Sequence, residues 1–345
     1  MFNGKKKTLA RNALAALMAL VMLALSACVA ADTPSTDPTA ATTGSATAGA
    51  TGTPAATATP GADVTPAPTS PEKPVPTLSV EKLEEYSSYM DANEQFVGVV
   101  SIPGTKLEYP VLQPDDDLYY VYYNFEKKQS SEGAIFLGID AAFPDNTRNM
   151  VLHGHNMKDN TNYGKMFGYL HDYSTNKNRA NEKGLDYYKE HPLVNFDTIY
   201  GDAAYKIFAT IYADVSEPED RKDGLFYYLY NDFASDEEYG QFLTELQRRS
   251  LITTTVDVTT DDEILMLSTC DTNGLFKGPN GETLGHFIVI ARKVRDGEST
   301  DVDVAGAVIA ENPLMDQLWY TKGYAKEAPR FDDRDDRAPW FIHAE

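Results

Sequence analysis

Cys270 and His155 are the residues of this chain best suited to nucleophilic chemistry. Cys270 closes the apolar run 264–269 (ILMLST), which reads as a strand. A thiol at a strand's end is held by the sheet and reachable from the loop beyond it. The thiolate is the attacking form, and a neighbouring imidazolium favours it. His155 follows another strand-like run, in Leu152-His153-Gly154-His155-Asn156-Met157. A histidine beside glycine at a strand-to-loop junction can reach across a cleft and move a proton. A cysteine and a histidine far apart in sequence are ingredients of covalent catalysis, and a buried packing cysteine is the competing reading. His153 and His155 at i and i+2 also raise a zinc site, but no third and fourth ligand follow at a usual spacing. No metal is therefore expected, and His153 reads as a supporting residue.

The elements that must position this pair read as mostly β. Strand-like runs with turn residues between them cover 96–102, 107–112, 133–137, 149–152, 204–215, 263–269 and 286–294. A helix is expected over 79–90, capped by Ser79, with Leu83, Tyr86 and Met90 on one stripe. Its capping box is incomplete, because Lys82 stands where Glu or Gln would complete it. A second helix is expected over 236–247, with Ser235 as cap and Glu238 as its capping-box partner. Many short strands with few helices indicate a barrel or sandwich.

The start of the chain reads as an address. Lys5, Lys6, Lys7 and Arg11 precede an apolar run of 15 residues, 13–27. That is short for a membrane-spanning helix and suits a secretory leader. The run ends in Leu25-Ser26-Ala27-Cys28, which resembles a bacterial lipobox with Cys28 as the lipidated residue. The alternative is an uncleaved anchor, with residues 28–31 lengthening the run. Either reading places the rest of the chain on the outer side of the cell membrane. Residues 29–78 are Ala, Thr, Pro, Gly and Ser-rich with no aromatic residue, and read as a disordered stalk. A flexible coil of that length reaches roughly 40 Å. With Cys28 taken by the leader, Cys270 is the only cysteine left for the folded part. The net charge of −22 repels phosphate backbones and argues against nucleic-acid binding.

Five stretches make a resemblance specific. Asn93-Glu94-Gln95-Phe96-Val97-Gly98 runs into Ile102-Pro103-Gly104-Thr105. Then come Tyr109-Pro110-Val111-Leu112-Gln113, Gly133-Ala134-Ile135-Phe136-Leu137, Gly154-His155-Asn156-Met157 with Met166-Phe167, and Leu267-Ser268-Thr269-Cys270. In their order and spacing these resemble class B sortases. The resemblance implies an eight-stranded sortase-type β-barrel with an N-terminal helix and a helix before the cysteine strand. It implies a cysteine transpeptidase in which Cys270 attacks the Thr carbonyl of a C-terminal sorting signal of the Asn-Pro-x-Thr type. His155 would protonate the leaving amine, and a peptidoglycan cross-bridge or precursor amine would resolve the thioester. The partners so implied are secreted proteins bearing the signal and the wall amine, beside the membrane expected from the N-terminal anchor, and no cofactor is expected.

One departure stands out. The family usually carries an arginine at the start of the strand after the cysteine. The matching position here is His286, in His286-Phe287-Ile288-Val289-Ile290-Ala291-Arg292. Arg292 lies six residues on, or about 20 Å along an extended strand. His286 and Arg292 are thus both candidates for the third catalytic group, and Arg292 also reads as a strand-end surface charge. The expected organisation is a leader or anchor over 1–28, the stalk over 29–78, a catalytic domain over 79–296 and an acidic extension over 297–345. Two alternatives accompany the main reading: a pilin-polymerising sortase, and a non-catalytic wall-binding lipoprotein on a sortase-like barrel. An L,D-transpeptidase is a poorer fit, because its histidine and cysteine lie close together in sequence.

Overall fold

The computed structural model describes residues 76–314, except 117–118, 139–140, 142, 145–147, 159–163, 176–182, 216–224, 226, 230, 232, 272–284 and 312. Cys28, the leader, nearly all of the stalk, and the tail with Trp319 and Trp340 lie outside the described residues. Among the described residues no helix is long and apolar enough to cross a membrane.

Eight strands close a barrel. In chain order they are β1 (Phe96–Ser101), β2 (Glu108–Leu112), β3 (Ile135–Leu137), β4 (Asn149–His153), β7 (Leu193–Thr198), β8 (Ala204–Asp214), β10 (Ile264–Cys270) and β11 (Gly285–Lys293). Around the barrel they run β1-β2-β3-β4-β10-β11-β8-β7, and β7 pairs back onto β1. Two short ribbons complete the strands among the described residues: β5 (Asn156–Lys158) with β6 (Gly164–Met166), and β9 (Ile252–Thr253) with β12 (Val308–Ile309). The expected β-barrel is therefore present. Strand β7 was not foreseen. Its Asn195 and Asp197 are poor strand formers, and only every second residue is fully buried. Its pairing with both β1 and β8 holds it.

Strand alternation sorts the buried side chains onto two faces of the wall. Leu265, Leu267, Phe287 and Val289 join one cluster. Ile264, Met266, Cys270, Ile288 and Ile290 join the other. The second face is covered by the helix Asp236–Arg249 through Tyr239, Phe242, Leu243 and Leu246. That helix is the one expected before the cysteine strand. The Ser235 hydroxyl caps it by accepting from the Glu238 amide at 3.1 Å. The Glu238 carboxylate reaches the Ala234 amide, one residue beyond the capping-box target.

The helix expected over 79–90 is two short helices, Val80–Glu85 and Ser87–Ala92. They meet at Tyr86, whose ring packs edge-on against Phe96 at 5.3 Å. Burying that ring on β1 outweighs the continuity of a short helix, whose own stability in water is marginal. Asn93 then donates to the Tyr120 hydroxyl at 2.9 Å and the Phe125 carbonyl at 2.8 Å. This pins the short helix Tyr119–Tyr122, which bears Val121. The chain beyond Asp296, read as an extension, continues over the barrel through Leu314. Val308 and Ile309 pair with Thr253 and Ile252, and the Leu314 amide donates to the Arg248 carbonyl.

Candidate active site

Two parallel strands bring Cys270 and His155 together. β4 and β10 run side by side, with His153 opposite Ser268. Beyond the end of β4 the pairing continues, because the Gly154 amide donates to the Ser268 carbonyl at 3.1 Å. The Thr269 hydroxyl then donates to the Gly154 carbonyl at 2.8 Å. Gly154 is held tightly here, since a Cβ would collide with Ile135 and Phe167. His155 follows where Cys270 ends the neighbouring strand. Both side chains are almost fully buried, at 3% exposure each.

The His155 ring is oriented by the backbone. Its Nε2 lies 2.9 Å from the Val121 carbonyl, which can only accept. Nε2 therefore carries the proton, and in the neutral ring Nδ1 holds the lone pair. Gly133, with φ of 59°, lets the chain pass close beside this ring. Burial lowers the His155 pKa, and the Val121 hydrogen bond opposes that shift. His153 stacks on Phe136 at 5.4 Å, and burial lowers its pKa to about 4.

The antiparallel strand β11 places His286 opposite Cys270. Its Nε2 lies 4.0 Å from the Cys270 sulfur. Its Nδ1 lies 2.8 Å from the Tyr227 hydroxyl and 3.2 Å from the Ser268 hydroxyl. Those two hydroxyls are 2.5 Å apart. Burial, with the nearby His153 adding to it, lowers the His286 pKa to about 3. On the main-chain side, the Cys270 carbonyl accepts from the Asn156 side-chain Nδ2 at 2.9 Å and lies 3.1 Å from His171 Nε2. The His171 ring stacks on Phe287 at 5.1 Å. Among the described residues, no group of three or more His, Cys, Asp or Glu side chains is arranged to hold a metal ion.

No family model matches the chain. Sortase B of Staphylococcus aureus is 30% identical over 211 residues, spanning 61% of this chain and 75% of that protein. The chain belongs to the sortase B family. Sortase B of Listeria monocytogenes is 28% identical over 192 residues, spanning 56% of this chain and 69% of that protein. Among solved structures, sortase B from Bacillus anthracis in complex with AAEK2 matches with a TM-score of 0.50 and 27% identity. That match covers 64% of this chain and 89% of the other. The family makes this chain a sortase-type cysteine transpeptidase.

Within that family frame, the structure separates the two candidates for the third group. His286 is at the thiol. Arg292 is at the far end of β11, opposite Ile264, and is not brought to the site. Its guanidinium binds both Glu298 oxygens, at 2.5 and 2.9 Å, and the Asp257 carbonyl at 2.9 Å. At 1% exposure it is a buried structural ion, not a surface charge. Sequence reading gave no role to Ser268, Tyr227 and His171. Ser268 had a legible signal, since strand alternation places it on the Cys270 face. Tyr227 and His171 had none, because only the fold brings their segments to the thiol.

Proposed function

We propose that this chain is a cell-surface transpeptidase that joins secreted proteins bearing an Asn-Pro-x-Thr-type signal to a peptidoglycan amine. One observation carries the reading: the fold brings the ends of β10 and β4, with Cys270 and His155, side by side on a sortase barrel. Neutral His155 takes the thiol proton on Nδ1 as the sulfur attacks the Thr carbonyl carbon. The peptide C–N bond breaks, and His155 returns that proton to the departing amine. The resulting Cys270 thioester is attacked by the acceptor amine, whose proton passes back through His155 to the leaving thiolate. The basic and apolar start of the chain, with lipidation at Cys28 or an uncleaved helix, would hold the domain on the outer face of the membrane.

The test is mass spectrometry of the full-length chain with an Asn-Pro-x-Thr peptide library and triglycine, beside Cys270→Ala. An acyl adduct on Cys270 or a triglycine product supports the reading. A folded wild-type chain that acylates with no peptide would sink the assigned signal. Transfer to a lysine-bearing protein but not to triglycine would point to pilin-type polymerisation. Labelling with a fatty-acid analogue that disappears in Cys28→Ala would support the lipid anchor.

A further inference from the structure

His286 has a different neighbour on each ring nitrogen, and that asymmetry has a chemical consequence. A neutral imidazole has one donor nitrogen and one acceptor. Nδ1 faces the two hydroxyls, and Nε2 faces the Cys270 sulfur. The hydroxyl protons can run in two directions. In one, Nδ1–H donates to a hydroxyl and the Nε2 lone pair meets the sulfur. In the other, Ser268 donates to the Tyr227 oxygen, Tyr227 donates to Nδ1, and Nε2–H points at the sulfur.

Hydrogen-bond strength selects the second direction. A phenol, with an ordinary pKa near 10, is a far stronger donor than a serine hydroxyl. The imidazole nitrogen is the strongest acceptor within its reach. The Tyr227 proton is also secure, because burial raises the phenol pKa well above its usual value. Tyr227 is held through both its main chain and its side chain. The Tyr227 carbonyl accepts from the Asn149 side chain at 3.2 Å, at the start of β4. The hydroxyl sits between Ser268 and His286, and the side chain is fully buried.

We infer that Tyr227 is a positioning residue whose phenol donates to His286 Nδ1, so that His286 presents Nε2–H to the Cys270 sulfur as a neutral donor. The inference rests on Cys270 being the nucleophile. A neutral donor at the sulfur stabilises negative charge there, both as the thiol loses its proton and as the thiolate leaves the thioester. It adds no net charge to a buried site, so it avoids the desolvation penalty of a cation. No covalent step is added to the reaction.

The proton's position can be read directly. Long-range proton–nitrogen NMR of the full-length chain, labelled at histidine, shows which nitrogen of His286 is protonated. The expected result is Nε2–H in the wild type and a shift toward Nδ1–H in Tyr227→Phe. Turnover of an Asn-Pro-x-Thr peptide should fall about 10- to 100-fold in kcat with little change in KM, the scale of lost outer-partner hydrogen bonds. Ser268→Ala should keep Nε2–H, because it leaves the Tyr227 contact in place. Replacing Tyr227 by 3-fluorotyrosine keeps the ring and strengthens the donor. It should move the His286 Nδ1 signal even if Tyr227→Phe fails to fold. Nδ1–H in the wild type, or an unchanged tautomer and kcat in folded Tyr227→Phe, overturns the inference. Failure of every peptide with wild-type chain would instead count against the sorting-signal reading, since the tautomer measurement needs no substrate.

Discussion

The two ends of β11 solve the same problem in opposite ways. Each places a nitrogen-rich side chain in the barrel wall at 1% exposure. At the Arg292 end the group is a full cation, neutralised by Glu298 and flanked by Asp257. The Arg292 guanidinium, with Lys206, holds the Glu298 carboxyl far below the usual carboxylate range. At the His286 end the group is neutral, and hydroxyls rather than carboxylates meet it. Charge that is locked into ion pairs serves the scaffold. A neutral ring with one nitrogen on the thiol can respond to charge that develops during a reaction. Residue type alone suggests the reverse, because arginine is the obvious partner for an anion.

The sharpest way to test that division is to remove the chemistry at one end only. Cys270→Ala and His155→Ala should each abolish transpeptidation, a loss on the order of 10⁶-fold where residues act as one unit. Unfolding midpoints should stay near wild type in both. His153→Ala should leave measurable turnover, since that ring is stacked on Phe136. Equal losses from His153→Ala and His155→Ala would break the assignment of roles.

Removing the guanidinium at the other end should do the opposite. Arg292→Leu leaves the part-exposed Glu298 carboxylate with Lys206 and the Arg295 amide, and the lost guanidinium hydrogen bonds should cost about 1–3 kcal/mol of stability in urea unfolding. The turnover of the remaining folded protein should be unchanged. A kcat defect in folded Arg292→Leu would mean that the two ends are coupled.

The difference between the ends also marks what the sequence can show. Cys270, His155 and the strands that carry them announce themselves through apolar runs and a glycine-flanked histidine. The helix Asp236–Arg249 shows in its cap and its stripe. His286 could be placed at the thiol only by register, because Cys270 and His286 are opposed across an antiparallel pair. Tyr227 and His171 come from connections that fold over the sheet, and nothing in their local spacing marks them. Arg292 reads as a surface charge because its partners, Asp257 and Glu298, lie in separate loops. Strand β7 is hidden for a related reason: its partners β1 and β8 hold it, against the weak strand preference of its polar residues.

Acid should separate the ends by the smallest of these effects. Burial holds His286 near 3 and His153 near 4, below the ordinary value of 6.5. The unfolded chain therefore binds protons at these sites, between pH 6.5 and those lower values, that the folded chain does not. Stability accordingly rises with pH through that window and is lost as pH falls. Two such groups give about 2 kcal/mol of loss between pH 7 and 5.5, and His155, lowered in the same direction, adds to it. Glu298 behaves in the opposite sense. Its carboxyl is depressed, so its contribution is present above the ordinary carboxylate range and is lost only at stronger acid. Urea unfolding at pH 7 and pH 5.5 should thus show a loss that His286→Gln and His153→Gln each reduce by about 1 kcal/mol, and that Glu298→Gln leaves unaltered. If the histidine variants keep the full pH slope, burial of neutral rings is not what sets it, and the contrast between the two ends of β11 fails at its neutral end.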